Sequence, residues 1–132
     1  MNIFIDTNIF LDLILKRKNF KEALLIFNAI EKKLFNAVIL DITILNIDYV
    51  AKKQIKNTNE FLSTVNKLMK VVGASNIMID QALKIDNADL EDNLQYISAQ
   101  HSKCELIVTN DKKFYSLDIE KLTSIEFVNK FL

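Results

Sequence analysis

The chain has no proline and no tryptophan, and only one glycine, one cysteine and one histidine among its 132 residues. Each shortage removes a class of chemistry. A single cysteine excludes a disulfide scaffold and a cysteine-built zinc or iron–sulfur site, and a single histidine excludes a multi-histidine zinc site. One glycine, Gly73, is too few for a P-loop, a dinucleotide-binding GxGxxG turn or a GxSxG elbow, all of which need glycines for close backbone approach. No charge is in excess either: 17 basic and 17 acidic residues cancel, so a nucleic-acid partner has to be met by local patches. No apolar run reaches the ~20 residues of a membrane span, and Asp6 and Asp12 interrupt the N-terminal stretch that a secretory leader would need. The expectation is a protein without a membrane partner, in a reducing, cytoplasmic location.

What is present in quantity is apolar material, 50% of the residues. That is enough for a core without staples, and the length predicts one domain over residues 1–132. Asn2 to Ile5 is an apolar run that predicts a buried strand, followed by Asp6-Thr7-Asn8, any of which can cap a helix from about Ile9. Asn19 is placed to cap a second helix carrying Phe20, Ala23, Leu24, Phe27 and Ile30 at helical spacing. Ala37 to Leu40 predicts a second strand, apolar throughout and so buried on both faces. Asp41 opens a helix expected to run to about Ile55, and Thr58 another with Phe61, Leu62, Val65, Leu68 and Met69. Val71-Val72-Gly73 reads equally as loop or short strand. Helices are predicted at 76–85 and 89–101, the latter with Leu90, Leu94 and Ile97 inward. Leu106 to Val108 predicts a third buried strand, and Ser124 is expected to cap a last helix with Phe127, Val128 and Phe131. Apolar strands alternating with helices give class α/β with a parallel sheet.

Open parallel sheets bind ligands beyond the carboxyl ends of their strands, where the strand order reverses. Two predicted strands end in an acid there, Asp6 and Asp111. The helix start at 89–92 adds Asp89 and Asp92, spaced i and i+3. Carboxylates gathered in one cleft raise one another's pKa, and a hard divalent cation removes that penalty. Mg²⁺ or Mn²⁺ accepts carboxylate and water oxygens and makes a bound water a better nucleophile toward a phosphodiester. Taken singly, each acid also has a structural explanation. Asp6, Thr7 and Asn8 can be helix caps, Asp89, Glu91 and Asp92 suit the dipole of a helix first turn, and Asp111 suits a turn. Their joint order is what favours a site.

The stretch Ile3-Phe4-Ile5-Asp6-Thr7-Asn8-Ile9-Phe10-Leu11-Asp12 resembles the opening motif of PIN-domain nucleases. Asp89-Leu90-Glu91-Asp92-Asn93-Leu94-Gln95-Tyr96 is similar to their second motif, and Val108-Thr109-Asn110-Asp111-Lys112-Lys113-Phe114 to their closing one. Ile125-Glu126-Phe127-Val128 resembles their C-terminal helix. The ordered set covers essentially the whole chain and is similar to the single-domain VapC toxin type. The resemblance implies a three-layer PIN-like fold with a mainly parallel twisted sheet of four to five short strands. It further implies Mg²⁺ or Mn²⁺ and endonucleolytic cleavage of single-stranded RNA by metal-activated water. Carried over by position, Asp6, Asp92 and Asp111 would hold the metal. Asp89 would be an auxiliary acid, and Thr7, Asn8, Thr109 and Asn110 would orient these groups or the metal's waters. One position departs: Asn46 stands where the family usually has a further acid, and Asp48 lies roughly 200° around the helix from it. An antitoxin partner and a homodimer are family expectations.

Lys52, Lys53 and Lys56, with Lys112 and Lys113 beside Asp111, are candidates to hold RNA phosphates, and Tyr49 and Tyr96 to stack on bases. Solvated helix faces and half-buried packing are the plainer readings of the same residues. Two other functions compete. A catalytically weak or inactive PIN domain, binding RNA or protein, would suit Asn46. A haloacid-dehalogenase-like phosphatase would also use a first-strand Asp, but it wants a second Asp two residues on, where Asn8 stands.

Overall fold

The computed structural model describes all 132 residues. Strand β1 (Asn2–Ile5) leads into α1 (Thr7–Ile14) and α2 (Phe20–Glu31), then β2 (Asn36–Leu40), α3 (Asp41–Ala51), α4 (Asn59–Leu68) and β3 (Lys70–Val72). Helices α5 (Asn76–Leu83) and α6 (Leu90–His101) precede β4 (Leu106–Val108), β5 (Glu120–Leu122) and α7 (Ser124–Phe131). The five strands form one sheet in the order β3-β2-β1-β4-β5, every pairing parallel. The α/β class with a mainly parallel sheet of four to five strands is therefore the architecture observed, here with five strands all parallel.

Alternation along the strands divides the core in two. Ile3 and Ile5 of β1, Ala37 and Ile39 of β2, and Leu106 and Val108 of β4 face one side, where α1, α2, α3, α4 and α7 cover them. Phe4, Val38, Leu40 and Ile107 face the other, under α5 and α6. Three layers result. From β1 the chain steps to β2 and β3 on one flank of the sheet, and β4 and β5 occupy the other flank. The order thus reverses between β1 and β4, whose registered pairs run from Ile3 with Leu106 to Ile5 with Val108. Beyond that pair lies the crevice where an open sheet binds its ligands.

Several local expectations are corrected. Leu90 is 47% exposed rather than inward. As the first residue of α6 it precedes the face that reaches the sheet, which carries Tyr96 and Ile97. Thr123, not Ser124, caps α7, in a reciprocal capping box with Glu126. Helix α3 stops at Ala51, short of Ile55, and the chain turns back so that the Thr58 hydroxyl donates to the Asp48 carboxylate. Strand β5, Glu-Lys-Leu, lies outside the expected elements; the ambiguous 71–73 segment contributes a strand, β3. No helix is long and apolar enough to cross a membrane.

Candidate active site

Asp6 follows β1 directly and enters α1 at its N-cap position, but its side chain does not cap the helix. Instead Oδ2 accepts from the Thr109 hydroxyl at 2.8 Å and Oδ1 from the Gln95 amide at 3.3 Å. The group is 2% exposed. Burial raises its pKa to about 6, against the two hydrogen bonds, with Glu91 and Asp111 adding repulsion.

Thr109 leaves β4 beside it. Its hydroxyl also accepts from the Asp111 amide at 3.1 Å, so one side chain aligns two acids. Asp111 closes its own turn by accepting from the Lys113 amide at 2.9 Å. Asp92, in the first turn of α6, has its pKa raised to about 8 by burial, then by Asp6 and Asp89, with Asp111 adding to the rise. The three aspartates expected to act together therefore feel one another across β1, α6 and β4. None is neutralised by a cation of the chain: the ion pairs are Lys52–Asp48, Lys84–Asp80 and Lys130–Glu120.

No group of three such side chains is preset as a metal cage. The Asp6 and Asp111 carboxylates are each seated on hydrogen-bond donors of the chain. Their chemistry nevertheless fits a hard divalent cation: buried, like-charged oxygen donors whose repulsion such an ion would relieve. Gln95 adds a second sign. It is fully buried, its amide nitrogen is on Asp6, and its Oε1 has no hydrogen-bond partner. A lone buried carbonyl oxygen beside an acid cluster is an oxygen donor available to an ion or its water.

The auxiliary positions divide. Thr109 supports the acids as expected. Asp89 caps α6, its Oδ1 accepting from the Asp92 amide at 3.1 Å; it is exposed, and it acts on the site by orienting the Asp92 turn and through its charge. Thr7 turns away to the Thr43 hydroxyl at 3.0 Å, binding α1 to α3, because a buried hydroxyl there needs a partner of its own. Asn8 is exposed and supports none of the acids. Asn110 fastens the fold: it donates to Asp12 at 3.3 Å and accepts from the Ser124 amide at 2.9 Å, joining β4 to α1 and α7.

Asn46 does reach the acid cluster, donating to Glu91 Oε1 at 2.9 Å. Glu91 and Gln95 are the two site residues that sequence reasoning passed over. Glu91 was hidden among three acids of one helix turn; Gln95 had a signal, a polar residue at an inward helical position.

Lys112 and Lys113 flank Asp111 and are exposed. A cavity of about 230 Å³ opens there, lined by Thr109, Asp111, Lys112, Lys121, Thr123 and Glu126 among others. Lys52 and Lys53 lie at the end of α3, where both ammonium groups approach the exposed Tyr49 ring, at 5.9 and 4.7 Å. Tyr96 is packing, not a base platform: it is buried, edge-on to Tyr115 and bonded to Asp118. A larger cavity, about 610 Å³ among Asn2, Lys33, Asn36 and Lys70, sits at the opposite end of the strands, away from every one of these acids.

Comparison with known proteins bears on the family and the fold. The chain is 29% identical to Ribonuclease VapC1 of Aquifex aeolicus, across 98% of this chain and 94% of that one. Its fold is similar to that of Mycobacterium tuberculosis VapC20, described as a sarcin–ricin-loop-cleaving toxin, with TM-score 0.69, 11% identity and 85% and 92% of the two chains covered. It is similar also to a chain of a toxin–antitoxin complex from Klebsiella pneumoniae, with TM-score 0.67, 23% identity and 92% and 97% covered. VapBC2 of Rickettsia felis, bound to a DNA fragment from its promoter, gives TM-score 0.65 at 17% identity, covering 93% and 98%. The PIN domain model matches residues 2–113, a span that holds all the acids of the crevice, and the chain belongs to the PIN domain family.

Proposed function

We propose that the chain is a divalent-cation-dependent endoribonuclease that cuts single-stranded RNA, and that it is the toxin of a toxin–antitoxin pair. One observation carries the reading: Asp6, Asp92 and Asp111, from three separate elements, gather at the reversal point of the sheet, where Asp111 raises the pKa of Asp6 and both raise that of Asp92, without a cationic partner in the chain. The similarity to Ribonuclease VapC1 supports the substrate class, and the neighbours from toxin–antitoxin assemblies support an antitoxin partner. Family membership sets aside the phosphatase alternative.

In this reading Asp6, Asp92 and Asp111 hold Mg²⁺ or Mn²⁺, which when bound lowers the pKa of water and screens the phosphodiester charge. The chain's own groups do the rest. Thr109 and Gln95 keep the Asp6 carboxylate at a fixed angle, and the Asp89 cap fixes the turn that presents Asp92. Lys112 and Lys113 stand beside Asp111 where the flanking phosphates of an RNA strand would lie. Lys52 and Lys53, gathered at Tyr49, offer a second basic contact farther along α3.

The test is cleavage of a single-stranded RNA in Mn²⁺ by wild type and by Asp92→Asn. Losing a side chain that merely supports a metal ligand costs about 10–100-fold, so Asp92→Asn should lose more than about 100-fold while the metal-free protein melts no lower than wild type. Full activity of that variant would overturn the assignment. A wild type that binds Mn²⁺ and RNA but cuts nothing would establish the alternative that Asn46 favours, a PIN domain kept for binding.

A further inference from the structure

We propose that Glu91 is a fourth carboxylate of the same crevice, and that Asn46 is a positioning residue that aims it. The inference rests on the cation-binding reading above and assigns it two more side chains. Glu91 and Gln95 are four residues apart on α6 and so stand within roughly 40° of each other around the helix. Gln95 is on Asp6, so Glu91 stands one turn away on the helix face turned to that carboxylate. The acid is half-buried and no lysine or arginine pairs with it.

The identity of its one side-chain partner decides the role. Asn46 comes from α3, on the opposite layer of the fold, and donates its amide N–H at 2.9 Å to a single oxygen, Oε1. A lysine there would cancel the charge of Glu91; an aspartate would repel it. A neutral donor fixes the carboxylate's direction and leaves its negative charge and its second oxygen available. An acid needed only for the dipole of α6 would require no such clamp from another helix. Asn46 thus supplies no charge of its own but keeps a charge aimed where α3 and α6 meet.

The experiment is a calorimetric titration of the metal-free full chain with Mn²⁺ at pH 8, using wild type, Glu91→Gln, Asn46→Ala and the double variant. Melting curves without metal accompany it. Glu91→Gln should bind Mn²⁺ about tenfold more weakly and melt no lower, since it removes repulsion. Asn46→Ala should also weaken binding, and the double variant should be no weaker than Glu91→Gln, because Asn46 acts through that carboxylate. Glu91→Asp, which keeps the charge but withdraws it by a methylene, should weaken binding as well and serves if Glu91→Gln does not fold. Wild-type affinity in Glu91→Gln or Glu91→Asp overturns this inference and leaves the nuclease reading standing. Additive losses in the double variant overturn the role given to Asn46. Absence of Mn²⁺ binding by wild type at millimolar concentration overturns both readings together.

Discussion

At the scale of single residues, Thr109 shows how little material sets the crevice. Its hydroxyl donates to Asp6 and accepts from the Asp111 amide, so it stabilises the charged form of one acid while holding the backbone of another. Thr109→Val keeps the shape and removes both bonds. A buried amide N–H left without a partner costs about 1–3 kcal/mol, and Asp6 loses the strongest influence now lowering its pKa from a value already near 6. Denaturant melts should show that loss, and the acidic limb of the cleavage pH profile should move to higher pH as Asp6 holds its proton longer. Thr109→Ser should restore both. An unmoved limb in Thr109→Val would mean that Asp6 does not govern activity.

At the scale of elements, the scarcity of glycine leaves a mark on the helix ends. Helices α1, α2 and α6 all end with a lysine in the left-handed region, Lys16 at φ 52°, Lys33 at 62° and Lys103 at 56°. Each is followed by the 6→1 hydrogen bond of a Schellman turn: Arg17 to Asp12, Leu34 to Ala29 and Cys104 to Ala99. Glycine is the usual residue there because a Cβ is strained by ~1–2 kcal/mol in that conformation. Lys33→Gly and Lys103→Gly, both far from the acids, should therefore each stabilise the fold by about 0.5–1 kcal/mol, after the added freedom of glycine in the unfolded chain is deducted. Thermal melts check this; a loss of stability would show that the lysine stems contribute packing at these turns. The same elements show what was readable from sequence. Strands β1, β2 and β4 are legible because burial on both faces demands unbroken apolar runs. Strand β5 is not, because an edge strand of Glu-Lys-Leu buries only its leucine and is held otherwise by pairing with β4. Residue type alone misplaces caps: Asn19 and Thr58 sit at N-cap positions yet make no capping bond, Thr58 because its hydroxyl has Asp48 for a partner. Asp6, Asp92 and Asp111 are legible from sequence as one group because acids at two strand ends and a helix start lie at the carboxyl edge of a parallel sheet. Glu91 is not, because its meaning lies in a bond to Asn46, which is 45 residues away in the chain.

For the molecule as a whole, the crevice sets a conflict between stability and function that pH exposes. Burial and neighbouring carboxylates raise Asp6 to about 6 and Asp92 to about 8, and burial raises Asp12 in the same direction. The folded chain therefore binds these protons more tightly than the unfolded chain does. Between about pH 4 and pH 8 the folded state carries more protons, and its stability must fall as pH rises. Asp6, which is almost wholly buried, contributes on the order of 2–3 kcal/mol to that fall. A divalent cation on the ionised acids reverses the trend, since it binds only the folded, deprotonated crevice; at a hundredfold excess over its Kd it adds about 2.7 kcal/mol. Melting temperatures measured in EDTA should thus decline from pH 5 to pH 8, and the gap between Mn²⁺ and EDTA curves should widen over the same range. In Asp6→Asn the decline in EDTA should be shallower and the gap smaller. A gap of constant width would place the cation somewhere other than on these aspartates, since binding there must compete with their protons.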